Sequence, residues 1–202
     1  LNMCDIDARY SSHPHADHIG GVEGVALSTL VNPAYTAGKK AELGGIPLAN
    51  YLSDRGPLPG ACKPDLMAHK SVLEEVWEAA APGLRTIQGV EKVVLETYFN
   101  PAPMKDNTDY TMPDGAKRWT YYTVVATHVV AGRALMPSYG LMFESDTQKI
   151  FFPTDTQLLM PPQISYFYER ADVVYMDCET GFQSGVHPHI DDLRRLEGSL
   201  IE

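Results

Sequence analysis

The sequence is poor in cysteine and has no pairing pattern for what it holds. Cys4, Cys62 and Cys178 are odd in number and lack Cys-x-x-Cys spacing, which excludes a disulfide framework and fits free thiols in a reducing compartment, taken here as the cytoplasm. Basic charge is scarce too: 16 Lys and Arg stand against 26 Asp and Glu, a formal net charge of −10. Holding a long nucleic acid needs Lys and Arg to replace counterions on its phosphates, so that class is excluded. No apolar run approaches the length of a membrane span. No signal peptide is read in the opening residues, though the chain does not begin with Met, and there is no internal repeat or low-complexity tract. What remains is an ordinary globular balance, 44% hydrophobic and 21% charged over 202 residues, enough for one domain with its own core. One domain over residues 1–202 is expected, with residues 31–118 as an insertion-bearing middle segment.

Against these absences stands one dense stretch, His13-Pro14-His15-Ala16-Asp17-His18 followed by Ile19-Gly20-Gly21. Three of the seven histidines fall in these six positions. Asp5–Tyr10 before it reads as a short strand, and Val22 onward as the start of a helix. Chemistry in α/β folds gathers at such carboxyl ends of strands. His13 and His15, two apart in extended or turning backbone, can lean their rings to one side. Imidazole suits zinc and similar divalent metals, while carboxylate suits harder ones. Asp17 and His18 point differently and are better placed on a second metal, which makes a two-metal site the expectation.

Further along, Val31–Pro64 reads as loop and insertion, with a short helix near Ala37–Leu43 and a turn at Pro57–Gly60. A helix is predicted from Pro64 to about Ala81, stopped by Pro82-Gly83, with His69 as one of its partly exposed residues. Val93–Phe99 reads as a strand and Asn100–Gly115 as a loop beside the site. Strands are predicted at Trp119–Thr127, Ser138–Glu144, Lys149–Pro153 and Asp172–Asp177, and a short helix at Ile190–Leu196. His128, Asp155, Glu179 and His187 then each follow a strand, so they can converge with the His-rich turn on one sheet edge. His189 is read as a solvated residue at the start of the last helix.

The His13–His18 stretch with its trailing Gly-Gly resembles the His-x-His-x-Asp-His signature of the metallo-β-lactamase fold superfamily. Thr127-His128 with Ser138-Tyr139-Gly140, and Phe152-Pro153-Thr154-Asp155-Thr156, are similar to its next two motifs. In the second of these, Pro153 and Thr154 replace the usual small residues. Asp177-Cys178-Glu179-Thr180 is similar to the His-Glu-Ala-Thr stretch of the ribonuclease Z-like and phosphodiesterase-like branch, with Cys178 in place of the histidine. Gly185-Val186-His187 resembles that branch's downstream histidine.

The resemblance implies an α/β, αββα sandwich. Part of its amino-terminal half and its last strand are not apparent here, so the chain is a fragment or another segment or subunit supplies them. An exposed half-sandwich edge would invite a second copy, a homo-oligomer. The resemblance also implies roles. His13, His15 and His128 hold the first metal, Asp155 bridges, and Asp17 and His18 serve the second metal, whose usual last histidine is not apparent. The metals are two zinc ions, with manganese or iron as substitutes. Asp17 also holds the nucleophile. His187, oriented by Glu179, is the general acid. That set implies metal-assisted hydrolysis of a phosphodiester, because an alkoxide leaving group needs a proton donor. The acidic balance turns the expectation from transfer RNA toward a small molecule or short nucleotide, with no long nucleic acid and no membrane as partner. Two other readings stand beside it: a lactone or carboxyl-ester hydrolase on the same metals, and a non-catalytic metal-binding module in a larger assembly.

Overall fold

The computed structural model describes residues 6–31, 50, 63–114, 117–157 and 162–195. The expected helix at Ala37–Leu43, the turn at Pro57–Gly60, Cys4 and Cys62 lie outside those residues. The chain divides into two compact units, residues 1–104 and 105–202.

The first unit is built on three parallel strands in the order β1 (Ala8–Ser11), β2 (Asp65–His69), β3 (Asn100–Met104). Between them run α1 (Ala16–Ile19), α2 (Val22–Val31), α3 (Lys70–Leu84) and α4 (Leu95–Tyr98). Pro64–His69 was expected to open the helix, but the stretch is mostly strand. Leu66 and Ala68, two apart, are fully buried, which is strand periodicity, and the helix starts only at Lys70. His69 is therefore not inside the helix but caps it, its Nδ1 accepting from Ser71 N–H at 3.4 Å. Pro82-Gly83 does not stop α3 either. Pro82 removes one hydrogen bond in the last turn, and the buried Leu84, whose carbonyl accepts the Tyr98 hydroxyl, holds that turn in place.

Val93–Phe99, expected as a strand, contains the one-turn helix α4, with Val94 N–H donating to Thr97 Oγ1 at 3.1 Å. Asn100–Gly115, expected as loop, holds β3 and the strand β4 (Tyr110–Asp114). Pro101 and Pro103 explain the misreading. They alternate on an edge strand, where only every second N–H faces the neighbour, and Asn100 N–H, on the bonded side, donates to Pro64 at 3.0 Å.

The second unit is a five-stranded sheet in the order β4, β5 (Lys117–Ala131), β6 (Ala134–Glu144), β7 (Lys149–Phe152), β8 (Val173–Val174). The pairs are antiparallel except β7 with β8. One helix that the sequence reading missed, α5 (Pro162–Arg170), lays Ile164 and Tyr168 against Val124, Ala126, Met142 and Phe151, the core of this unit. Burial raises the Tyr168 phenol above its ordinary pKa. The Asp172–Asp177 strand is reduced to Val173–Val174, and the last helix, α6, covers Ile190–Leu193. Among the described residues no helix is long and apolar enough to cross a membrane.

Gly140 sets how closely β6 can pass the end of β7. A Cβ built there would sit 2.7 Å from the Phe152 carbonyl oxygen and 3.0 Å from Pro153 Cα, both backbone atoms that cannot swing away. Gly140→Ala is expected to lower stability by about 1–3 kcal/mol. A urea midpoint unchanged from wild type would show that the two strands have slack.

Candidate metal centre

In the first unit the His-rich stretch begins two residues beyond the carboxyl end of β1. His13 is fully buried. Its Nε2 lies 3.0 Å from His15 Nδ1, its ring 4.7 Å from that of His15 and 4.1 Å from that of His18. The expected common side for His13 and His15 is therefore present, and His18 shares it. Ser12, to which the sequence reading gave no role, places its hydroxyl 2.9 Å from His13 Nδ1 and 3.4 Å from His18 Nδ1. His15 is the extended residue ahead of α1, which lets the chain turn from strand to helix between His13 and His18.

Asp17, in the first turn of α1, is exposed, with Oδ2 3.6 Å from His18 Nε2. Its slight burial raises the carboxyl, but its own backbone N–H and the nearby His18, His13 and His15 outweigh that and hold it below its ordinary value. Arg9 ties the turn down by donating to the His18 carbonyl at 2.9 Å. Gly21 leaves room for it, since a Cβ there would stand 2.7 Å from Arg9 Nη1.

In the second unit His128 does not follow β5, as expected, but lies within it. The ladder shifts between Thr127 and Val129, so His128 is the extra residue of a bulge. Pro137, opposite Thr127, supplies the reason: it has no N–H to give. The carbonyls of Thr127 and His128 are claimed instead by Gln157, whose N–H and Nε2 donate at 2.9 Å each. This docks the segment after β7 onto the bulge and brings Asp155 to the buried His128, Oδ2 to Nε2 at 3.7 Å. A histidine beside a proline-bearing central strand was the signal that could have revealed the bulge.

Asp155 is itself held by its neighbours. Ser138 Oγ donates to its carbonyl oxygen. Thr154 before it adopts φ +57°, the left-handed region where a β-branched residue is strained. That explains why a small residue is usual in this motif. The Thr154 hydroxyl donates to Ser138 Oγ at 3.3 Å. Since Ala and Gly both lack that hydroxyl, Thr154→Gly should be more stable than Thr154→Ala by about 1 kcal/mol, the reverse of their usual order. Denaturation of the two variants side by side checks this, and an alanine variant equal to glycine would contradict it.

His187 Nε2 lies 4.0 Å from the same Asp155 Oδ2, and its ring 5.2 Å from that of His128. One donor atom from each of His128, Asp155 and His187 lies within 4.8 Å of the others. His128 Nδ1 faces the Val186 carbonyl at 3.3 Å, which can only accept, so Nδ1 carries the proton and Nε2 presents its lone pair. Outer partners of this kind fix metal-binding histidines. A tetrahedral ion with bonds of about 2.0 Å sets its donors about 3.3 Å apart. The His128 imidazole and the Asp155 carboxylate, 3.7 Å apart, fit a divalent ion in donor type and in spacing, with His187 Nε2 beside them.

The structure brings His187 Nδ1 to the carboxylate of Asp177, a residue not singled out from sequence. Glu179 instead accepts from Ser184, whose N–H lies 2.8 Å from its Oε2, and those bonds hold its carboxyl below the ordinary value. Its backbone also pairs with the segment 188–190, its N–H donating to Pro188 at 2.8 Å and its carbonyl accepting from Ile190 at 2.9 Å. His189, expected as solvated, is buried and caps α6 by accepting from Asp191 N–H at 3.2 Å.

The family model described as "Anti-Pycsar protein Apyc1" matches residues 51–201. The chain is 28% identical over 195 residues to the anti-Pycsar protein Apyc1 of Bacillus phage BSP38, covering 93% of this chain and 62% of that protein. It thus spans about three fifths of the length of the curated relatives it matches. Among solved structures, the metallo-β-lactamase fold protein YhfI from Bacillus subtilis aligns with TM-score 0.52 at 12% identity, over 94% of this chain and 57% of that one. Unliganded yeast PDE1 aligns with TM-score 0.56 at 11% identity, over 98% and 54%. At such identities these likenesses show the fold: α/β, of the metallo-β-lactamase type.

Proposed function

The chain belongs to the family of the anti-Pycsar protein Apyc1, and from that premise we propose that it is a metal-dependent phosphodiesterase acting on a small cyclic nucleotide. The observation that carries the reading is the convergence of His128 Nε2 and His187 Nε2 on one oxygen of Asp155. Two divalent ions, zinc in this reading, would supply the acidity that makes water a nucleophile at neutral pH.

The chain's own residues supply the rest. His13, His15, Asp17, His18, His128 and Asp155 are the donors, in the roles the family resemblance implies. His187 holds a proton at Nε2 for the departing oxygen. A net charge of −10 opposes a polyanion, whereas a cyclic nucleotide brings a single phosphodiester charge.

Turnover of a 3′,5′-cyclic nucleotide by metal-loaded protein, set against a linear oligonucleotide and p-nitrophenyl acetate, tests this reading. The cyclic substrate should be consumed fastest. Preference for the acetate would instead favour the carboxyl-ester hydrolase.

A further inference from the structure

We propose that Asp177 is the positioning residue of His187, holding its Nδ1 so that Nε2 faces Asp155 and His128. The inference rests on the phosphodiesterase reading and deepens it. Asp177 Oδ2 contacts His187 Nδ1 directly, while His187 Nε2 points to Asp155 Oδ2 at 4.0 Å. An ionised carboxylate only accepts, so Nδ1 must donate. That leaves Nε2 as the nitrogen turned to the side of Asp155 and His128.

The loop between them is built to keep this pair together. Glu179 takes the Ser184 N–H at 2.8 Å, Val186 N–H donates to Ser184 Oγ at 3.1 Å, and the Val186 carbonyl faces His128 Nδ1 at 3.3 Å. Gly185, at φ +77°, makes the turn that brings His187 back over Asp177. Glu179 thus shapes the loop, and Asp177 orients the imidazole. In the step itself, water adds its OH to phosphorus and releases a proton to solvent. The bond from phosphorus to the leaving oxygen breaks, and that oxygen takes the Nε2 proton. Asp177 keeps its hydrogen bond to Nδ1 and takes no proton.

The test compares Asp177→Asn, Asp177→Ala and Glu179→Gln in zinc-loaded protein. Four quantities are read: kcat and KM on a 3′,5′-cyclic nucleotide, zinc per chain, and the 15N shifts of the His187 ring. Asp177→Ala should lower kcat about 10- to 100-fold with KM little changed. Zinc content should stay at the wild-type level, and the His187 ring should lose its Nδ1–H signature. Asp177→Asn, which keeps an acceptor oxygen, should fall between Ala and wild type. The proposal is overturned if the ring shifts of Asp177→Ala match wild type, or if its zinc content falls as in His128→Ala, which would make His187 a ligand and not the acid. The ring shifts need no turnover, so they decide on Asp177 even where the protein proves inactive on phosphodiesters.

Discussion

Replacing His13 by alanine is expected to weaken metal binding about 10²- to 10³-fold and to remove turnover at metal concentrations that saturate the wild type. The size follows from what one donor contributes. A structural zinc site binds with an apparent free energy of about 10–16 kcal/mol shared among four donors, so one donor accounts for about 2.5–4 kcal/mol. His13 is the donor whose loss cannot be made up locally. It is fully buried, lies against both His15 and His18, and is steadied by the Ser12 hydroxyl at 2.9 Å. Competition with a chromogenic chelator measures the affinity, and unchanged binding in a folded His13→Ala protein would remove His13 from the ligand set. Ser12→Ala offers a milder companion, with a loss of about 10-fold or more expected if the hydroxyl orients the ring.

His187→Ala is expected to slow hydrolysis of a cyclic nucleotide by about 10²- to 10⁴-fold while leaving bis(p-nitrophenyl) phosphate nearly untouched. An alkoxide leaves poorly without a proton, whereas p-nitrophenolate leaves readily without one. The contrast between the two substrates therefore reads leaving-group protonation alone, free of any general loss of structure. His187 is suited to the role by its place: its side chain is 26% exposed, reachable by substrate, yet anchored at Nδ1 by Asp177. Equal losses on both substrates would make His187 a ligand or a structural residue.

The His13–His18 stretch was legible in the sequence because its signal is local. Six consecutive residues at a strand-to-helix turn carry four donor side chains, and no distant pairing is needed to see them. Strands β5, β6 and β7 of the second unit were legible for the same reason, as dense runs of aromatic and β-branched residues. The errors arose where distant partners decide the outcome. Pro64–His69 is strand because β1 and β3 flank it, with Ala8 opposite Asp65 and Asp65 opposite Asn100. Asn100–Met104 carries prolines that suggest loop but sit on the silent side of an edge strand. The place of His128 in a bulge depended on Pro137, nine residues on and one strand away. Asp177 escaped notice because its partner is ten residues along a loop whose turn only the fold defines. Helix α5 was missed because Ile164 and Tyr168 are its only deeply buried apolar residues among those described, too few for a periodic signal.

Metal stoichiometry and turnover can be followed in one experiment. Protein stripped with a chelator is titrated with zinc while hydrolysis of a 3′,5′-cyclic nucleotide is recorded. The prediction is that turnover is absent without metal, rises as the sites fill, and reaches its plateau at two ions per chain. A folded protein that takes up no divalent ion, or one that fills with metal and still leaves the cyclic phosphodiester intact, would contradict it.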